Sequence, residues 1–335
     1  MDALLAGARG GDENAFTALV EPHRRELMSQ AYRMLGSFAD AEDALQEALL
    51  AAWRALPGFE GRSSLRTWLF RITTNACLRL ASKRPPRLLS SEYAPPRSDV
   101  HDLGEPVPGP VWLEPFMDES TQPDEDLDPL AAVLRRESVE LAFVAALQHL
   151  PATQRAVLLL REVLAFSAAE TADAVGTSVA SANSALQRAR AGLAERRPDR
   201  SQQAELAALG DEGRRALVDA FVAAWERGDA PALVDLLAAD ARFTMPPLPA
   251  WFRGLEDVAR FLTERVFTTP WRLVPVEANG QIAFACYQFD GPSWRLGAVN
   301  VLSLRGGSIS WIAGFVDPVA LHRLGLRTEL SFEDR

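Results

Sequence analysis

The chain has 335 residues, of which 48% are hydrophobic, and a formal net charge of -10. This length exceeds what one hydrophobic core usually organises, so we expect two or three folded domains. The acidic balance excludes nucleic-acid binding over the whole surface, because that binding neutralises phosphates with cations, and it leaves only a local basic segment for such a role.

Signals for membranes, secretion and metals are missing from the sequence. No stretch has the roughly 18 consecutive apolar residues of a membrane span, and the N-terminus lacks a signal-peptide pattern. We therefore expect a cytoplasmic protein with no membrane partner. Two cysteines and four histidines lie scattered without ligand spacing, which predicts buried free thiols, no metal and no cofactor.

Helical periodicity dominates the first part of the chain. It predicts one or two helices over 12–35, a second helical segment over 40–56 and a third over 63–82. Asp40 is the expected cap of the second helix, and Ser63 or Ser64 that of the third, which ends before Pro85. The third helix has an apolar face for packing and a polar face, including Arg71 and Thr74, that we expect to be free to bind.

Charge is unevenly distributed after residue 60. Segment 62–97 contains eight basic residues and only one acid, Glu92, so it forms a local basic patch. Segment 98–128 contains ten acids, no Lys or Arg, and many prolines. Such a segment cannot bury enough apolar area to fold alone, and we predict an extended linker.

A second helical unit follows over 129–197, and its latter half has the form of a helix-turn-helix. A short helix over 168–175 ends at Gly176, and a second helix begins after the cap candidate Ser178. The outward positions of the second helix would face the major groove of bound DNA, and they are Ser181, Ser184 and Arg188.

The last part of the chain changes composition near Glu205. Two predicted helices, 213–227 and 230–238, precede alternating strand-like runs separated by turn residues. These strands are predicted over 241–245, 272–278, 281–289, 295–305 and 308–316. Helices followed by antiparallel strands predict an α+β domain, whose many tryptophans line either a core or a pocket.

Two motifs in this order resemble a known family. DAEDALQEALLAAW (40–53) and FEGRSSLRTWLFRITTNACLR (59–79) resemble region 2 of the extracytoplasmic-function sigma factors of bacterial RNA polymerase, and the helix-turn-helix over 166–193 resembles their region 4. The predicted fold is therefore multidomain, with two all-α sigma domains and a C-terminal α+β domain. We assign region 2 to 1–97, the linker to 98–128, region 4 to 129–197 and the C-terminal domain to 198–335.

The resemblance implies an alternative sigma factor, which is not an enzyme, with RNA polymerase core and promoter DNA as its partners. In the family, the first motif binds the clamp helices of the largest polymerase subunit. Carried onto this chain, the core-polymerase residues are Asp40, Glu42, Asp43, Gln46 and Glu47.

The second motif corresponds to the family's surface for the minus-ten promoter element, where exposed bases need pockets and phosphates need cations. The implied residues are Arg62, Ser63, Arg66, Trp68, Arg71, Asn75 and Arg79. Trp68 could pack in the core or stack on a base, and packing is favoured because it lies at the edge of the apolar face.

The helix-turn-helix would read the minus-thirty-five element. Its implied residues are Ser181, Ser184, Arg188 and Arg190. Many relatives carry Lys and Arg in this helix where the chain has Asn183 and Ala185, so we expect weaker or differently specified upstream binding.

The C-terminal domain resembles the SnoaL-like, nuclear-transport-factor-2-like cone fold that some sigma factors carry as a fused extension. The resemblance implies regulation in cis, and WLEP (112–115) is similar to a linker motif of such forms. We expect a monomer in which this domain bridges regions 2 and 4 in a compact free form. Alternatives are an isomerase- or cyclase-type enzyme, a ligand-sensing helix-turn-helix regulator, and a pocket for a small apolar ligand.

The enzyme alternative requires a titratable base in the C-terminal domain. The candidates are Asp240, Glu277, Asp290, Asp317 and His322. The aspartates lie beside strand ends, Gly or Pro, where turn chemistry explains an Asp more simply, so we do not favour catalysis.

Overall fold

The structure is a computed structural model, and it describes residues 2–117, 139–196 and 199–331. Residues 118–128 of the predicted acidic linker, the predicted start of region 4 at residue 129, and the boundary at 197–198 lie outside the described residues. The chain forms two compact units. Met1–Arg87 joins Ala142–Arg197 in the first unit, and Leu88–Leu141 joins Pro198–Arg335 in the second.

The helices of the described residues, in chain order, are α1 Asp2–Arg9, α2 Glu13–Leu35, α3 Phe38–Ala55, α4 Leu65–Ala81, α5 Ser90–Tyr93, α6 Leu141–Gln148, α7 Ala152–Leu158, α8 Ala168–Val175, α9 Val179–Ala194, α10 Gln202–Glu226, α11 Ala230–Val234, α12 Leu255–Phe261 and α13 Pro318–Arg323. The strands are β1 Leu237–Thr244, β2 Trp251–Arg253, β3 Trp271–Ala278, β4 Gln281–Phe289, β5 Trp294–Arg305, β6 Ser308–Phe315 and β7 Glu329–Leu330. Among these described elements, no helix is long and apolar enough to cross a bilayer.

Local capping chemistry sets most helix boundaries in the first unit. The Ser64 hydroxyl accepts the backbone N–H of Thr67 at the start of α4. Gly176, with φ of 68°, ends α8, and Ser178 caps α9, so the helix-turn-helix prediction is confirmed. The predicted cap of α3 was wrong, because Ser37 caps the helix and accepts the N–H of Asp40.

One apolar core joins region 2 and region 4 in the first unit. Leu27, Leu69 and Phe70 of region 2 share this core with Leu160 and Phe166 of region 4. The rings of Phe70 and Phe166 meet edge to face with centroids 5.7 Å apart. The two regions therefore pack as one body rather than as separate domains.

The second unit is built on a mixed sheet with strand order β2-β1-β6-β5-β4-β3, with β7 paired to β5. All pairs are antiparallel except β1 with β6, which run parallel. Helices α10 and α12 cover one face of the sheet. The α+β prediction is confirmed, whereas β2, β7, α12 and α13 were not predicted.

Residues 94–117, from the end of region 2 as assigned above into the linker, pack on the C-terminal domain instead of standing free. Trp251 Nε1 donates to the carbonyl of Ala94 at 2.7 Å, and the backbone N–H of Arg97 donates to the carbonyl of Trp251 at 2.9 Å. Val100 is fully buried in the core of that domain. The prolines and acids keep this segment extended, and Val100 anchors it, with Leu103 packed against the same core.

Both cysteines behave as predicted. Cys77 in α4 and Cys286 in β4 are free and fully buried. Burial raises the pKa of the Cys77 thiol to about 12, so it stays protonated at neutral pH.

Candidate nucleic-acid interface

Helix α4 carries most of the predicted minus-ten residues, and an ion pair holds its first turn. Arg66 makes a bidentate pair with Glu26, with Nε at 2.9 Å and Nη2 at 2.6 Å from the two carboxylate oxygens. Its guanidinium also lies over the rings of Phe70 and Phe166, 4.8 and 5.6 Å from their centroids. Arg66 is therefore a half-buried packing residue in this form.

The polar face of α4 is covered by region 4. Arg71 Nη1 lies 3.0 Å from Asp173 Oδ2, and the hydroxyl of Thr67 donates to Glu170 Oε1 at 3.3 Å, both acids belonging to α8. Thr74 is fully buried. The expectation of a free polar face was therefore wrong for this form, because α7 and α8 pack against α4.

Glu170 is kept charged at this contact. The backbone N–H and hydroxyl of Ser167 are the main causes that lower the pKa of the Glu170 carboxyl, and Thr67 and Arg66 lower it further. The same Ser167–Glu170 bonds form the capping box of α8. One carboxylate thus fixes the start of α8 and also contacts region 2.

The remaining minus-ten residues occupy different environments. Trp68 is only 7% exposed and its ring packs 5.0 Å from that of Phe59, which favours the packing interpretation. Asn75 Nδ2 donates to the carbonyl of Arg71 at 2.9 Å, and Arg79 pairs with Glu47 at 2.8 Å. Arg62 is exposed and pairs with Glu60, and Ser63 is half-buried beside it.

Helix α3 presents the predicted polymerase-binding side chains on one exposed face. Glu42, Asp43, Gln46 and Glu47 are all exposed. Asp40 differs, since it is buried and its carboxylate pairs with the buried Arg87 and, at 3.6 Å, with Arg84.

Leu50 adds a residue that the sequence analysis missed. It is 51% exposed and lies one turn beyond Gln46 and Glu47 on α3. An apolar side chain exposed at this spacing next to acids is a contact candidate, and helical periodicity alone could have identified it.

Helix α9 places its predicted promoter residues on one solvent-exposed surface. Ser181, Ser184 and Arg188 are exposed, while Ala182, Ala185 and Leu186 are buried beneath them. Arg190 is also exposed and its Nε pairs with Glu162 at 2.5 Å.

A buried arginine ties region 4 to region 2. Arg155 of α7 donates through Nη1 to the carbonyl of Met34, at the C-terminal end of α2, and to Oε1 of Gln148 at 2.7 Å. Its Nη2 donates to the carbonyls of Gln148 and Leu150, both at 3.1 Å. The negative ends of α2 and α6 thus take the place of a counter-ion. Burial lowers the pKa of Arg155 to about 10, so it remains a cation at neutral pH.

The carboxylates considered for catalysis have structural partners. Asp317 caps α13 by accepting the N–H of Val319, and Asp290 accepts the N–H of Ser293 and pairs with Arg295. Glu277 pairs with Arg214 at 3.3 Å. Asp240 pairs with Arg305, and the hydrogen bond from Arg305 lowers the pKa of the Asp240 carboxyl. A catalytic base that works near neutral pH needs a raised carboxyl pKa instead.

Comparisons with known proteins match all three parts of the chain. Sigma-70 region 2 matches residues 19–85, Sigma-70 region 4 matches 140–193, and the SnoaL-like domain matches 218–312.

Relatives that match most of the chain also belong to the sigma factors. The ECF RNA polymerase sigma factor SigG of Mycobacterium tuberculosis H37Rv is 42% identical over 330 residues, which cover 97% of this chain and 86% of SigG. SigJ of the same strain is 31% identical over 248 residues, covering 72% of this chain and 70% of SigJ. The crystal structure of M. tuberculosis SigJ shares the fold, with a TM-score of 0.59 at 23% identity over 92% of this chain and 99% of that one. The chain therefore belongs to the ECF RNA polymerase sigma factors, and it is an alternative sigma factor with a SnoaL-like C-terminal domain.

Proposed function

We propose that this sigma factor rests in a closed form, in which region 4 covers the promoter-reading helix of region 2, and that core RNA polymerase opens it. The single observation that carries the proposal is the cover on α4. Arg71 and Thr67, which would face promoter DNA, are bonded to Asp173 and Glu170 of region 4.

The energetics assign different roles to the contacts. Arg71 and Asp173 have side chains 41% and 68% exposed, so their pair contributes about 0.2–1 kcal/mol. Burying an aromatic side chain such as Phe166 contributes about 1.5–3 kcal/mol. In this proposal, apolar packing holds region 4 in place and the polar pairs fix its orientation on α4.

Carboxylates on three helices, α2, α3 and α8, also explain how a basic helix is kept from DNA. The cations of α4 would attract the phosphates of DNA. However, Arg66, Arg71 and Arg79 already have carboxylate partners. Weak affinity of the free protein for DNA follows, since exchange of one anion for another gains little.

After opening, Arg62, Ser63, Arg71, Asn75 and Arg79 would contact the minus-ten element. Ser181, Ser184, Arg188 and Arg190 would contact the upstream element. In this proposal Arg66 and Trp68 act by holding the loop and helix in shape, because both pack against aromatic rings.

For core polymerase, we assign the exposed face of α3, with Leu50 added to the four exposed polar residues. Asp40 is left to a structural role in this proposal, since its carboxylate is buried against Arg87. The C-terminal domain would modulate the opening in cis through the linker, whose Val100 is part of its core.

Charge reversal on α3 tests the core-binding assignment. We expect Asp43→Arg to weaken binding to core polymerase at least about tenfold, because it replaces an attractive charge with a repulsive one at an interface. Fluorescence anisotropy of labelled full-length protein titrated with core polymerase measures the effect. Glu21→Arg on α2 is the matched control, and equal losses in both variants would contradict the assignment.

A further inference from the structure

An open cleft of about 350 Å³ lies within the first unit, where region 4 meets region 2. Met34, Leu35 and Arg84 come from region 2, and Gln148, Leu150 and Arg155 come from region 4. The floor is buried, whereas the side chain of Arg84 is 40% exposed at the rim. A small molecule in this cleft would touch both regions at once.

Positive charge exceeds negative charge around the cleft. Asp40 is the one carboxylate in its lining, and it is already shared by Arg87 and Arg84. Arg155 is 95% buried, and among the described residues its partners are neutral oxygens alone. The lining therefore holds two guanidinium groups, Arg84 and Arg155, against one carboxylate that Arg87 also pairs with, an imbalance that favours an anion.

An unused hydrogen-bond donor at the cleft also indicates an anion. The Nε atom of Arg155, a residue of the lining, is buried and has no hydrogen-bond partner within the described ranges. Buried donors of a charged group are normally satisfied, so a donor left over beside a cleft indicates a missing acceptor. Met34, Leu35 and Leu150 supply an apolar wall next to these cations.

We propose that this cleft binds a small organic phosphate of up to mononucleotide size. The phosphate lies against Arg84 and Arg155, and the organic part lies against the apolar wall. Because both regions contribute, the bound ligand favours the closed form and opposes opening by polymerase. This last step rests on the closed form proposed above.

The test is calorimetric titration of the full-length protein at constant ionic strength with three probes. These probes are ADP, inorganic pyrophosphate and uncharged adenosine. We expect saturable binding of ADP with one site and no measurable binding of adenosine. Pyrophosphate binding as tight as that of ADP supports the anion site and assigns recognition to the phosphates alone.

Two variants and a control locate the site. Arg84→Ala should weaken ADP binding about tenfold, because it removes a charge-assisted contact at an exposed position that the fold does not need. Arg54→Ala, an exposed arginine on α3 outside the cleft, removes the same charge and should leave binding unchanged. Asp173→Arg should weaken binding as well, since it disfavours the closed form that completes the cleft.

The experiment tests the anion site and its link to the closed form separately. Non-saturating heats, or equal losses in Arg84→Ala and Arg54→Ala, indicate diffuse anion binding and overturn the site. Tight binding that is lost in Arg84→Ala but unchanged in Asp173→Arg keeps the anion site and overturns its link to the closed form.

Discussion

Asp173→Arg should raise transcription about fivefold when the sigma factor is limiting. The substitution replaces an attraction between Asp173 and Arg71, whose closest atoms are 3.0 Å apart, with a repulsion. The change disfavours the closed form by about 1 kcal/mol, which is about a fivefold shift in the equilibrium. Multi-round transcription with core polymerase, using sigma factor below saturation, measures it.

The matched control for this prediction is Glu21→Arg, which makes the same charge change on an exposed part of α2. It should leave transcription near the wild-type level. High salt should also shrink the gain, since the pair is solvent-exposed and screened. Equal transcription by wild type and Asp173→Arg at low salt would contradict the role assigned to this contact.

Arg155→Met should loosen region 4 from region 2 more strongly than any surface change. The substitution keeps most of the apolar stem but leaves four buried oxygens without their donor, on Met34, Gln148 and Leu150. We expect a loss of about 3 kcal/mol, because unsatisfied buried acceptors are costly. Native-state hydrogen exchange should then show amides of α4 and α8 exchanging about 100-fold faster.

Arg188→Met on α9 is the control for this exchange experiment, because it removes an exposed arginine of the same region. It should leave the protection of α4 unchanged. Faster exchange confined to α6 and α7 in Arg155→Met, with α4 still protected, would contradict the idea that Arg155 joins the two regions.

Signals that act within a few residues could be predicted from the sequence. Ser64 caps α4, Gly176 ends α8 and Ser178 caps α9, each through a bond to a backbone group close by. The alternating runs in the C-terminal part likewise became β3 to β6 with bounds close to those predicted. These features depend on chemistry that the local sequence contains.

Features that depend on distant partners could not be predicted in this way. The polar face of α4 looked free because Asp173 and Glu170 lie about a hundred residues away. Asp40 looked like a surface acid on a motif helix, yet Arg87, 47 residues later, buries it. Val100 lies in an acidic, proline-rich segment, so composition hides its place in a core.

The most direct test of the closed form is a distance between region 2 and region 4. Spin labels are attached at Arg54→Cys on α3 and Gln187→Cys on α9, both exposed positions, in a protein whose Cys77 and Cys286 are replaced. Pulsed electron paramagnetic resonance then measures the distance between the labels. We predict one narrow, short distance in the free protein and a longer one when core polymerase is bound. A broad, long distribution in the free protein, or the same short distance with polymerase bound, would contradict the account.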